Sequence, residues 1–208
     1  MAFDIGTLLQ PGRVALLLSE VQRNIIGDVA NLGALAEAAT LAGVIPNSAR
    51  LADAARAHGA PVVHCLANTN PGRFGGNTNA RIFNAVGRRF RDAPAYDPAS
   101  DVPCPEVWRE GDVLSPRDHG LNPMADNALD RRLRNAGITT LIVCGVSLNV
   151  AIVNLVMDAV NSSYQVIVAR DAVAGFPPEY GPHVLSNTLS LISALATTDE
   201  IIAAWSKG

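Results

Sequence analysis

The groups able to do chemistry in this chain stand at the ends of apolar runs. Residues 13–19 (RVALLLS) form one such run, and Glu20, Gln22 and Asn24 follow it directly. Polar groups just past a buried strand lie where an open α/β sheet places its ligands. A desolvated pocket that raised the pKa of Glu20 would make it a general acid/base. Arg117, Asp118 and His119 follow a second, shorter run. The Arg117 fork suits an anionic substrate but carries protons poorly, whereas His119 could shuttle one near neutral pH. Residues 138–158 (ITTLIVCGVSLNVAIVNLVMD) contain the third feature. A buried strand there stops at Gly145-Val146-Ser147 and turns straight into an apolar helix. Unpaired N–H groups at such a helix start, around Val150 and Ala151, would cradle negative charge. Its first turn, Leu148-Asn149-Val150-Ala151, holds no nucleophile.

Each candidate has a plainer reading. Glu20 is either catalytic or an ion-paired carboxylate, with Arg117 as its natural partner. Arg117 and Asp118 also fit a surface loop, and His119 before Gly120 fits a solvated turn. His64, inside residues 61–67 (PVVHCLA), is either a ligand to substrate or a satisfied core histidine. Asn68 and Phe74 lie in a Gly/Asn-rich stretch, residues 68–79, long enough to cover a site, although Asn also favours turns for its own sake. The Phe74-Gly75-Gly76 piece is no phosphate loop, since no GK[ST] follows. Cys65, Cys104 and Cys144 have no CxxC spacing, so neither a disulfide framework nor a thiol metal site is expected.

These groups need a scaffold, and the hydropathy pattern supplies one. Strands are expected at residues 13–19, 61–67, 112–115, 138–146 and 164–169, with Asp171-Ala172 ending the last. Helices are expected over 31–43, 46–56, 80–90, 126–135 (with Gly137 as C-cap), after Ser147, and over 179–196. A short final strand is expected near Thr197-Thr198, and residues 200–205 close the chain. Residues 91–110, with Pro94, Pro98, Pro103 and Pro105, read as irregular. Strands alternating with helices at this spacing predict one α/β domain over residues 1–208. Its expected form is a three-layer α/β/α sandwich on a mainly parallel sheet of about six strands.

Composition sets limits on partners. The 208 residues carry a net charge of −3 and are 49% hydrophobic and 17% charged. No basic stripe marks a nucleic-acid surface, and no apolar run reaches the roughly 20 residues that span a bilayer. The start, with Asp4 and no basic region, does not read as a signal peptide, and unpaired cysteines fit a reducing cytoplasm. The high apolar content predicts a homo-oligomer, a dimer or tetramer.

The order and spacing of VALLLSEVQ, GDVLSPRDHGLNPMADNALDRRLRNAGITTLIVCGVSLNV and DAVNSSYQVIVARDAVAG resemble the isochorismatase-like (cysteine) hydrolase family. The resemblance covers residues 13–196. It implies a three-layer α/β fold, hydrolysis of an amide, ureido or vinyl-ether bond, and oligomerisation. It also implies an Asp–Lys–Cys triad, and here the chain departs from the pattern. The Asp position falls on Glu20. The Lys position falls on Arg117 counted from Asp112, or on Asp118 counted back from Leu129. The Cys position falls on Ala151, and Cys144 cannot be slid onto it without breaking the Gly145-Val146-Ser147 turn. The metal-binding pattern of nicotinamidase-type members is absent from VVHCLANTNPG, which offers His64 alone, so neither metal nor cofactor is expected.

Two functions remain open at this level. One is hydrolysis of a small anionic metabolite by non-covalent acid/base chemistry, with Glu20, Arg117 and His119 catalytic. Gln22, His64, Asn68, Phe74, Asp118, Val146, Ser147 and Val150 would then line the substrate. The other is a fold-retaining protein without activity, a small-ligand binder or assembly subunit.

Overall fold

The computed structural model describes residues 4–68, 75–92, 97–125 and 127–206. Six strands form one sheet in which every pairing is parallel: β1 (Val14–Ser19), β2 (Val62–Ala67), β3 (Val113–Arg117), β4 (Thr140–Val146), β5 (Gln165–Ala174) and β6 (Ala194–Ala196). Their order is β3-β2-β1-β4-β5-β6. The unbroken apolar character of β1 follows from its central place, because a parallel strand covered on both faces has no solvent side.

Alternation along β1 divides the core in two. Leu16 and Leu18 point to the face covered by α2 (Gly33–Leu41), α3 (Val44–Ala57) and α9 (Thr198–Trp205), where Leu51 and Trp205 are buried. Ala15 and Leu17 point to the face covered by α5 (Leu129–Asn135) and α6 (Val153–Asn161), where Leu133 and Leu155 are buried. The expected three layers are present. Among the described residues no helix is long and apolar enough to cross a membrane.

Three boundaries differ from the sequence expectation, each for a local reason. β3 runs past Ser115 to Arg117 because it is an edge strand, where the missing N–H of Pro116 leaves no central ladder bond unmade. β5 continues to Ala174 through an irregularity opposite residues 143–145 of β4. The helix expected over residues 179–196 ends at Ile192. Ser193 is extended, and Ala194–Ala196 pairs with residues 167–169 of β5 as the sixth strand. Ala and Leu favour helix by propensity, and pairing with an open sheet edge overrides it here.

Candidate functional site

The chain leaves β1 toward β2 on one side, while β4 lies on its other side. The crevice at the C-terminal ends of β1 and β4 is therefore the point where strand order reverses. Two contacts bring the strand ends tightly together. The Ser19 hydroxyl donates to the Val146 carbonyl at 2.8 Å. Gly145, with φ +106°, packs so closely on β1 that a Cβ atom there would lie 2.1 Å from the Ser19 carbonyl oxygen. Only glycine satisfies both demands.

Glu20 follows at once, in the left-handed region (φ 54°), with its N–H donating to the Cys65 carbonyl at 2.9 Å. A non-glycine residue there is uncommon, and the fold holds it through the turns on either side. Its carboxylate Oε1 accepts from Arg117 Nη2 at 2.5 Å. Arg117 reaches it because the extra length of β3 carries the side chain to the same sheet end. Arg117 Nη1 is buried without a partner. A guanidinium whose second nitrogen the protein leaves unpaired carries an unmet donor.

Both side chains line a cavity of about 210 Å³, as do Asn24, Asn68, Asp118, His119, Ser147, Val150 and Ala151. Its apolar wall is made by Ile25, Leu32 and Leu35 on one side and Ile82, Phe83 and Leu121 on another. Ile82 and Phe83 belong to α4 (Arg81–Asp92), which caps the strand ends. Opposite Glu20, the turn after β4 opens as a single π-helical turn, Leu148–Ile152, after a cis peptide between Val146 and Ser147. The Ser147 carbonyl accepts the N–H groups of Val150 and Ile152, each at 3.1 Å, leaving the Ala151 N–H out of that pair.

The structure thus brings together Glu20, Arg117, Asp118, His119, Asn68, Ser147, Val150 and Ala151. His119 and Asp118 are exposed at the rim, whereas Glu20 and Arg117 are buried. Three expected contact residues sit elsewhere. Gln22 is fully buried behind the site, where its amide donates to the Ala67 and Asp101 carbonyls and accepts the Ala67 N–H. It is a clamp, and a side chain fully occupied by backbone has nothing left for substrate. Val146 is buried in the sheet, apart from the cavity. His64 points to a different cluster, with Nε2 2.9 Å from Asp112 Oδ2 and its ring edge-on to Trp108. Phe74 lies outside the described residues.

The titrating groups behave as their surroundings dictate. Burial pushes His64 down from its ordinary value, more than the Asp112 carboxylate draws it up. Burial also pushes the Asp112 carboxyl upward, but hydrogen bonds from Arg56, His64 and the Arg109 N–H outweigh it and hold it below the usual carboxylate range. Burial drives Cys65, Cys104 and Cys144 each up to about 12, so none is a ready thiolate. Among the described residues no cluster of His, Cys, Asp and Glu is arranged to hold a metal ion.

Residues 14–200 match the isochorismatase domain. The chain belongs to the isochorismatase family. It is 26% identical over 196 residues to the phenazine biosynthesis protein PhzD1 of Pseudomonas aeruginosa, a match that covers 93% of this chain and 87% of that one. In fold it is similar to an isochorismatase family protein from Burkholderia thailandensis, with a TM-score of 0.76 and 23% identity over 95% of this chain and 97% of the other. A cysteine hydrolase from Pseudomonas syringae pv. phaseolicola also gives a TM-score of 0.76, at 20% identity over 96% and 95%.

Sequence reasoning missed the apolar wall of this isochorismatase-family cavity. Leu32 and Leu35 fall in the helix expected over residues 31–43, and Ile82 and Phe83 in the one expected over 80–90. Nothing in spacing alone distinguishes a face that covers a core from one that covers a cavity. Asn77, whose Oδ1 accepts the Gly120 N–H at 2.7 Å and so ties the covering loop to the His119 turn, carried no signal beyond turn composition.

Proposed function

We propose that this chain is a hydrolase of a small anionic metabolite that works without a covalent intermediate, with Glu20 as the general acid/base. One observation carries the reading. A buried carboxylate paired with a buried guanidinium lines one cavity with Ala151, where the family resemblance would put a nucleophile and this chain has only a methyl group.

A bond cleaved by acid suits such a site, and a vinyl ether is the clearest case. The Arg117 guanidinium takes an anionic oxygen of the substrate and fixes its orientation. Glu20 gives the proton to the terminal alkene carbon, and the positive charge develops on the ether-bearing carbon. Water adds there, the hemiketal loses its alcohol, and a ketone remains; the proton released by the water returns to Glu20. The sum is ether plus water to alcohol plus ketone, with Glu20 unchanged. His119 at the rim exchanges protons with solvent.

Glu20→Gln keeps a hydrogen-bond acceptor for Arg117 and removes the acid. Turnover of a substrate found in a screen of small carboxylates, amides and vinyl ethers should fall about 10²–10⁴-fold, with substrate binding retained. Unchanged turnover in this variant would remove Glu20 from the reaction. The second reading, an inactive small-ligand binder, draws on the Glu20–Arg117 ion pair itself, since a carboxylate so engaged can be purely structural. Ligands that raise Tm with no product formed in any case favour it.

A further inference from the structure

The helix that follows the β4 turn is apolar on two sides. α6 buries Leu155, Val156 and Ala159 against the sheet. Val153, Met157 and Val160, at i, i+4 and i+7, form a second stripe along the same helix. The core does not cover it: Val153 is half-buried, Met157 is 44% exposed and Val160 37%. A surface helix that serves one core needs only the first stripe.

A neighbouring helical run widens this face. α7 (Gly181–Val184), a π-helical turn (Leu185–Leu189) and α8 (Ser190–Ile192) follow one another without a break. At its start Gly181 packs on Leu148, where a Cβ atom would lie 3.5 Å from the leucine side chain. At its end Ile192 shares a groove of about 270 Å³ with Val160, the last residue of the α6 stripe, and with Leu8 and Tyr164. The two helical runs therefore lie side by side and point the same way. Leu191, beside that groove, is 78% exposed, and Tyr180 at the head of the second run is 52% exposed. Apolar side chains scattered singly over a surface are ordinary, but a stripe joined to a neighbouring helix and a groove marks a contact surface.

Charge distribution selects the occupant. In a chain that is 17% charged, residues 148–163 and 180–193 hold no lysine or arginine, one carboxylate (Asp158) and one histidine (His183). The Asp158 carboxylate already accepts from the Asn122 amide. Twofold pairing sets the groups of a face near their own copies, so a face that meets itself must be nearly free of charge, whereas a partner held by opposite charge would leave a signed surface here. We propose that this face binds a second copy of the chain, with the α6 stripe and Leu191 packed on their counterparts about a twofold axis. The inference stands on this surface alone and does not depend on the reaction proposed above.

Sedimentation velocity of the intact protein at about 1–100 μM tests it. The wild type should sediment as a dimer, or as a tetramer built on that dimer. Met157→Glu and Leu191→Glu each bring two carboxylates together across the axis and should weaken association at least about 100-fold, lowering the assembled mass by half or more. Both positions are exposed, and far-UV circular dichroism with Tm checks that the fold is kept. Met157→Gln, close in size and free of charge, should weaken the contact in the same direction by a smaller factor. Leu41→Glu, at an 80% exposed leucine of α2 on the opposite layer, should leave the assembly intact. A monomeric wild type overturns the proposal and leaves the face to a different partner. An assembly that survives both glutamate substitutions, or that Leu41→Glu dissolves equally, overturns the assignment of this face.

Discussion

Single residues decide what chemistry the site excludes. Ala151 has no nucleophile, and the three cysteines are buried in places that disfavour the thiolate. Iodoacetamide at neutral pH should leave the native protein unmodified while alkylating all three cysteines in urea, as mass spectrometry would show; rapid native labelling at Cys65 would contradict this burial. Ala151→Cys alone should give no amidase turnover, because a thiol needs a free base beside it and Glu20 is already paired with Arg117. Gly145 sets a steric limit of a different kind. Gly145→Ala puts a methyl group 2.1 Å from the Ser19 oxygen and should prevent folding. Gly12→Ala, also at positive φ but with nothing within 4 Å, should cost only about 1–2 kcal/mol in urea denaturation.

Elements are locked together by polar clusters away from the cavity. Asp112, just before β3, accepts from Arg56 of α3 at 2.7 Å and contacts His64 of β2 at 2.9 Å, so one carboxylate joins a helix to two strands. The unpartnered His64 Nδ1 fits a neutral ring that donates from Nε2. Both His64 and Asp112 have folded-state values below their ordinary ones, so the unfolded chain binds more protons and stability rises with pH. Their contribution is complete above the ordinary histidine value, about 6.5. The His64 share is lost as pH falls below that range, and the Asp112 share as pH falls below about 4. His64→Gln, which can still donate to Asp112, should flatten the fall in urea midpoint between pH 7 and pH 5 and leave the acid limb. An unaltered upper limb would mean that His64 is not its source. Gln22 works at the same scale: Gln22→Leu strands the Ala67 N–H and the Asp101 carbonyl and should cost about 2–4 kcal/mol.

At the scale of the whole molecule, two apolar layers on one sheet provide the stability that a strained, partly unsatisfied site draws upon. Leu17, fully buried between β1 and the α5/α6 layer, should cost about 2–5 kcal/mol as Leu17→Ala. Leu114, on the edge strand and 42% exposed, should cost under about 1 kcal/mol in the same change. Equal costs for the two would contradict the layering. The same architecture explains why the cavity lies where it does: strand order reverses between β1 and β4, and the chain departs in opposite directions from their ends.

The sequence alone determined the strand runs, the sharp turn at Gly145-Val146-Ser147 and the absence of a nucleophilic side chain from Leu148 to Ala151, because each is written in adjacent residues through hydropathy, glycine or side-chain type. It also placed Glu20 and Arg117 as a natural ion pair without deciding that they meet. Only the tertiary structure decided that, by running β3 two residues beyond Ser115 at a sheet edge where Pro116 is tolerated. It likewise turned Gln22 and His64 from candidate ligand contacts into structural clamps, and Ala194–Ala196 from helix into strand. Those outcomes depend on partners 45, 48 and 27 residues away for Gln22, His64 and Ala194 respectively, at Ala67, Asp112 and Ile167. No local pattern records which of a side chain's hydrogen bonds the backbone will already have taken. The unpaired Asn24 Oδ1 and Arg117 Nη1 belong to the same class: what a buried polar atom lacks becomes visible only once everything around it is in place.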